Sequence, residues 1–139
     1  MGCRFKRDGV EMGGKEIKML HRLKHASLTL FTAGFILPDL SKASVYVEFC
    51  DRGSLENVIT NYQKHAFENP GEQPRLTPPE RFIWHAFAGL CDGLAYLLGG
   101  RSYVGEEVTD YSPAHGWVPI LHRDVKPDNV LLRSRDTLG

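Results

Sequence analysis

Cysteine is scarce in this chain, with three residues at Cys3, Cys50 and Cys91 and no C-x-x-C pair among them. An odd, widely spaced set leaves no disulfide framework and no zinc site to build, so a reducing compartment is the expected location: intracellular, cytoplasmic or nuclear. Net charge is lacking too, because 17 Lys and Arg balance 17 Asp and Glu. Without a global field to draw in nucleic acid or an acidic membrane, any anionic ligand must be held by a local site. No apolar run reaches bilayer length, and the N-terminus is too polar for a signal peptide, so no membrane span is expected. Met1-Gly2-Cys3 opens like an N-myristoylation signal, but Lys6 stands where that signal wants Ser or Thr. There is no repeat of solenoid period. His21 and His25 sit four apart with no third ligand in sequence reach, which argues against a metal there.

What remains is an ordinary globular composition, 42% hydrophobic and 24% charged over 139 residues, within the range of one domain with its own core. Ile17, Leu20 and Leu23 predict a helix over Lys15–His25. Two antiparallel strands are expected, over Leu28–Leu37 and Ser44–Phe49, joined by a turn at Pro38-Asp39. Ser54 is placed to cap a short helix with Leu55, Val58, Ile59 and Tyr62 on one stripe. The prolines and Gly71 between residues 64 and 79 predict an irregular loop. A long helix then runs from Pro78 to Leu98, opened by a capping box of Thr77 and Glu80 and closed by Gly99-Gly100. Residues 99–119 follow neither period and read as an inserted loop, and Val130-Leu131-Leu132 reads as a short strand.

The chemistry concentrates in His122-Arg123-Asp124-Val125-Lys126-Pro127-Asp128-Asn129. A bare His-Arg-Asp triplet is usually a solvated turn, but here Lys, Pro and Asn follow at fixed spacing and an apolar run comes next. The octapeptide resembles the catalytic loop of eukaryotic-type protein kinases. Phosphoryl transfer needs an acceptor hydroxyl aimed at the γ-phosphorus and charge stabilised around the transferring group. Asp124 suits the first task, as a carboxylate that orients the hydroxyl and takes its proton. The Lys126 ammonium can neutralise γ-phosphate charge. Asn129 can offer an amide oxygen to Mg²⁺, which prefers hard oxygen ligands.

Other segments resemble the same family in the same order, over roughly residues 14–133. The helix at Lys15 is similar to the one whose Glu pairs with the nucleotide-binding Lys, which makes Glu16 that residue. Val45–Cys50 and the Asp51-Arg52-Gly53-Ser54-Leu55 that follows resemble the last small-lobe strand, the hinge and the next helix. The resemblance then implies Val47 as gatekeeper, backbone groups of Glu48 and Cys50 at the adenine edge, Ser54 near the ribose and Leu131 under adenine. A helix-capping role for Ser54 is the equal alternative. Leu20, Phe31 and His122 match members of the family's regulatory spine, and Arg123 belongs with these structural and regulatory positions. Lys126 resembles the Ser/Thr branch.

The fold class implied is α+β: a partial two-lobed kinase domain over residues 1–139, with a small-lobe portion and hinge at about 14–50 and a large-lobe portion at 51–139. The activity implied is transfer of phosphate from ATP, with Mg²⁺, to Ser or Thr of a protein substrate. The oligomeric state is open. The fourteen residues before Lys15 hold neither the family's Gly-rich loop nor its strand Lys, and no D-F-G follows Leu132. The 139-residue chain alone is therefore expected to be inactive, and a pseudokinase-like binding module is the alternative. The two long loops and the Trp84-His85-Ala86-Phe87 helix resemble kinase-like proteins of filamentous fungi.

Overall fold

A computed structural model describes residues 7–37, 39, 42–68, 77–103, 110 and 112–134, with side chains from residue 13 onward. The chain divides into two compact units, residues 1–49 and residues 50–139. The class is α+β, as expected: three helices and one two-stranded antiparallel sheet among the described residues.

In the first unit, helix α1 spans Arg7–Arg22 and packs on strands β1, Phe31–Leu37, and β2, Lys42–Val47. Sequence periodicity starts the helix at Lys15, because Gly13 and Gly14 each disfavour a helix interior by about 1 kcal/mol relative to Ala. Packing overrides that cost. A Cβ at Gly13 would come 2.5 Å from the Ala43 Cβ, and one at Gly34 of β1 would come 2.7 Å from Ile17 Cγ1. The glycines are what let helix and sheet approach. The helix ends three residues before His25, with its last turn tightened by a bond from Leu23 N–H to Leu20 O at 3.0 Å. Residues 25–28 then form a turn, Leu28 N–H donating to His25 O, so β1 begins at Phe31 and not Leu28.

Strands β1 and β2 pair from Phe31↔Val47 to Leu37↔Lys42, with an irregularity between Phe31 and Ala33. Gly34, Ile36, Ala43 and Val45 share the face toward α1 by strand alternation. The opposite face carries Phe35 and Tyr46, edge to face at 5.8 Å. Glu48 lies just past β2, where its N–H donates to Leu30 O at 2.9 Å.

The second unit holds helices α2, Leu55–Glu68, and α3, Glu80–Gly99. Ser54 and Asn57 cap α2 reciprocally: Ser54 N–H donates to Asn57 Oδ1 at 2.8 Å, and Asn57 N–H donates to Ser54 Oγ at 3.3 Å. The loop expected from residue 64 starts later, since α2 continues to Glu68 with a Lys64–Glu68 ion pair at 3.7 Å. Prolines do not begin until Pro70, and residues 69–76 lie outside the described set.

The capping box expected at Thr77 does not form. Pro79 is the cap residue, extended at ψ 138° and without a side-chain cap bond. Proline in the second of two adjacent positions pushes the residue before it out of the helical region, so the helix cannot start at Pro78. The far end is closed as expected by Gly100, at φ 73°, whose N–H donates to Tyr96 O at 2.7 Å.

Of the insertion expected at residues 99–119, positions 104–109 and 111 lie outside the described residues; Ser102, Tyr103, Ala114 and Trp117, with Ile120 beyond it, bond to α3. Asp92, 7% exposed, accepts bonds from Tyr103 N–H at 2.6 Å and from the Ser102 hydroxyl. Leu97 O accepts both the Trp117 indole N–H at 3.0 Å and the Ile120 N–H at 2.9 Å. The orphan carbonyls of Tyr96, Leu97 and Gly99 are thus filled from within the chain, the last by Ala114 N–H at 2.8 Å. Helix α3 is the one described helix long and apolar enough to cross a membrane, and these bonds tie its last two turns to Ser102, Tyr103, Trp117 and Ile120.

Candidate active site

The Ile120 N–H to Leu97 O bond holds the returning chain against the end of α3 just before residues 122–129. Arg123 then takes φ 64°, a left-handed conformation that costs a non-glycine residue roughly 1–2 kcal/mol. That turn folds Asp124 back, so that its N–H donates to His122 Nδ1 at 3.3 Å. Lys126 is extended, and Pro127–Asn129 form a single 3₁₀ turn with proline at its start, where no N–H is needed.

The turn brings two of the expected catalytic side chains, Lys126 and Asn129, onto the carboxylate of the third, Asp124. Lys126 Nζ lies 3.1 Å from Asp124 Oδ2, and Asn129 Nδ2 donates to the same oxygen and to Asp124 O, both at 2.8 Å. Both partners of the Asn129 amide are acceptors, so the atom facing them must be the nitrogen. The amide oxygen then points elsewhere, which is the geometry a hard-cation ligand needs.

The Lys126 hydrogen bond, then that of Asn129, hold the Asp124 carboxyl below the ordinary carboxylate range. A depressed carboxylate pKa means the ion pair is intact at higher pH and is lost as pH falls through the lowered value. We expect the carboxyl ¹³C titration of Asp124 to have a midpoint below that of an ordinary aspartate, and Lys126→Met to move it upward. A midpoint unchanged by Lys126→Met contradicts the assigned cause. Asp124 is solvent-exposed, so the effect is on the carboxyl and little on stability.

Beyond the turn, the chain runs against the start of α2. Leu131 forms an antiparallel bridge with Ser54, flanked by bonds from Leu55 N–H to Val130 O at 2.8 Å and from Leu132 N–H to Gly53 O at 2.8 Å. The strand expected at Val130–Leu132 is reduced to this one bridge. Thus the second unit brings together His122, Asp124, Lys126 and Asn129, and separately Ser54 and Leu131. Ser54 is 8% exposed, with its hydroxyl in the α2 cap. Cys50 is half-buried in the same unit.

The remaining expected residues belong to the first unit. Glu16 is exposed on α1, and Leu20 is half-buried. Phe31 meets the His21 ring edge to face at 5.9 Å, and Val47 pairs with Phe31. Glu48 Oε1 accepts from Leu30 N–H at 2.7 Å. Sequence reading did not single out Asp92, Asp51 or Ser134, whose partners lie 10 to 83 residues away and leave no local pattern.

No family model matches the chain. Among curated proteins it is 28% identical over 145 residues to the G2-specific protein kinase nim-1 of Neurospora crassa, covering 94% of this chain and 16% of that protein. It is 30% identical over 118 residues to the serine/threonine-protein kinase par-4 of Caenorhabditis briggsae, covering 84% and 13%. To the G2-specific protein kinase nimA of Emericella nidulans it is 24% identical over 152 residues, covering 98% and 20%. The chain spans a fifth or less of the length of these relatives.

Proposed function

Because the chain is a partial domain of the eukaryotic-type protein kinases, Ser/Thr branch, we propose that it carries the phosphoryl-transfer loop of an ATP-dependent protein Ser/Thr kinase. The observation that carries this is the convergence of Lys126 and Asn129 on the Asp124 carboxylate. In the proposed reaction Asp124 accepts the hydrogen bond of the substrate hydroxyl, orients it in line with the γ-phosphorus and receives its proton as the new P–O bond forms and the bond from γ-phosphorus to the bridging oxygen breaks, with ADP as leaving group. The ammonium of Lys126 leaves Asp124 for the γ-phosphate as negative charge develops there.

Asn129 would hold Mg²⁺ through its amide oxygen. Among the described residues no group of three His, Cys, Asp or Glu side chains gathers to bind a metal unaided. This fits Mg²⁺, which binds through one or two protein ligands plus substrate phosphates and water. When bound, it supplies charge neutralisation on the phosphates. The backbone at Glu48 and Cys50 is assigned to the adenine edge, Leu131 to the adenine face and Ser54 to the ribose side. Glu16, Leu20, Phe31, Val47, His122 and Arg123 are assigned to support.

The test uses the protein as it stands. Phosphoryl transfer is almost wholly positioning and electrostatics, and the fourteen residues before Lys15 hold neither the family's Gly-rich loop nor its strand Lys to grip the phosphates. Purified chain with Mg-ATP and a Ser/Thr acceptor should incorporate no more phosphate than a heat-denatured control. Incorporation that survives repurification and disappears in Asp124→Asn would show that the loop works without the rest of the clamp.

A further inference from the structure

Asp51 and Ser134, 83 residues apart in sequence, meet at the mouth of the Ser54–Leu131 bridge. The Ser134 N–H donates to Asp51 Oδ1 at 2.7 Å, and the Ser134 hydroxyl donates to Asp51 Oδ2. Arg52 Nε donates to the same hydroxyl at 2.7 Å and lies 3.4 Å from Asp51 Oδ2. One carboxylate therefore takes both donors of Ser134, and the neighbouring guanidinium closes the triangle. Just inside it, Arg52 N–H donates to Leu132 O at 3.0 Å, next to the Leu132 N–H to Gly53 O bond that frames the bridge together with Leu55 N–H to Val130 O.

A single bridge with no continuing strand has little hold of its own, because the net stabilisation from a few backbone hydrogen bonds is small. The segment also has a function to serve under the proposed activity, since Val130 and Leu131 follow directly on Asn129. We propose that Asp51, Arg52 and Ser134 form a positioning latch that fixes segment 130–134 to the start of α2 and so holds Asn129 in register with Asp124. The chain from the latch to Asn129 is short and continuous: Ser134 to the bridge at Leu131, Leu55 N–H to Val130 O, then the 3₁₀ turn. The latch stands on the hydrogen bonds alone, while the catalytic meaning of the positioning rests on the proposed function.

The 139-residue chain suffices for the test, by NMR and without nucleotide, so a failed phosphoryl-transfer assay leaves the outcome unaffected. In Asp51→Ala the amides of Leu55 and Leu132 should exchange at least about tenfold faster than in the wild type, while α3 amides keep their rates. The Asn129 side-chain amide resonances should move at the same time. Ser134→Ala should show the same changes in smaller measure, because its backbone N–H still reaches Asp51, and Ser134→Thr should restore wild-type values. Should Asp51→Ala fail to fold, seen as lost α3 protection, the Ser134→Ala and Ser134→Thr pair decides. Exchange at Leu132 within about twofold of wild type in the alanine variants overturns the latch. Faster exchange with unmoved Asn129 resonances overturns the positioning role.

Discussion

Asp124→Asn is expected to lower turnover by about 10²–10⁴-fold in the active protein carrying this loop, the usual range for a lost general base. The substitution keeps side-chain size and one oxygen acceptor, so the turn from Lys126 to Asn129 has no steric reason to change. What disappears is the negative charge. That charge now binds Lys126 Nζ at 3.1 Å and accepts the Asn129 amide at 2.8 Å. In the reaction it would accept the proton of the attacking hydroxyl. An amide is too weak a base for that role, and it leaves the Lys126 ammonium without its resting counter-ion. ATP affinity should change little, because Asp124 is assigned no contact with the nucleotide. Steady-state kinetics with varied ATP check both halves: the loss should fall on kcat, with the KM for ATP nearly constant.

The second large effect is on folding. Among the described residues the buried apolar side chains are Leu23 and Ala43 in the first unit and Leu97 in the second, so the second unit's buried apolar side chain is Leu97. Leu97→Ala removes a side chain that is 3% exposed, beside the carbonyl that accepts Trp117 and Ile120. Such truncations cost about 2–5 kcal/mol, a large share of the roughly 5–15 kcal/mol that holds a typical domain. Its neighbour Leu98 is 49% exposed on the same helix, and Leu98→Ala should stay within about 0.5 kcal/mol. Urea midpoints of the two variants make the comparison, and equal shifts would contradict the assignment of Leu97 to the core.

The sequence made the loop legible because its geometry is local. Asp124, Lys126 and Asn129 lie within six residues, Pro127 fixes the turn between them, and side chains so close must meet once the 3₁₀ turn forms. The helix stop at Gly100 was legible for a similar reason, since only the left-handed conformation of glycine continues the chain there at low cost. Elements set by tertiary packing were read less well. Periodicity started α1 at Lys15, whereas the observed helix begins at Arg7 and its Gly13 and Gly14 pack against Ala43 and Ile36. The Thr77 box has the right residues, but adjacent prolines deny it a helical start. The anchoring of residues 99–119 through Asp92 and Trp117, and the meeting of Asp51 with Ser134, depend on partners too distant for any periodicity to register.

The most direct test of the catalytic-loop assignment measures turnover and Mg-ATP affinity together in Asn129→Ala and Asp124→Asn forms of the active protein. Asn129→Ala removes both the bond to Asp124 and the proposed metal ligand. The account predicts that Asn129→Ala weakens Mg-ATP binding as well as turnover, with part of the loss recovered at high Mg²⁺, while Asp124→Asn loses turnover alone. Near-normal turnover in Asp124→Asn, from a protein shown to be active, would contradict it.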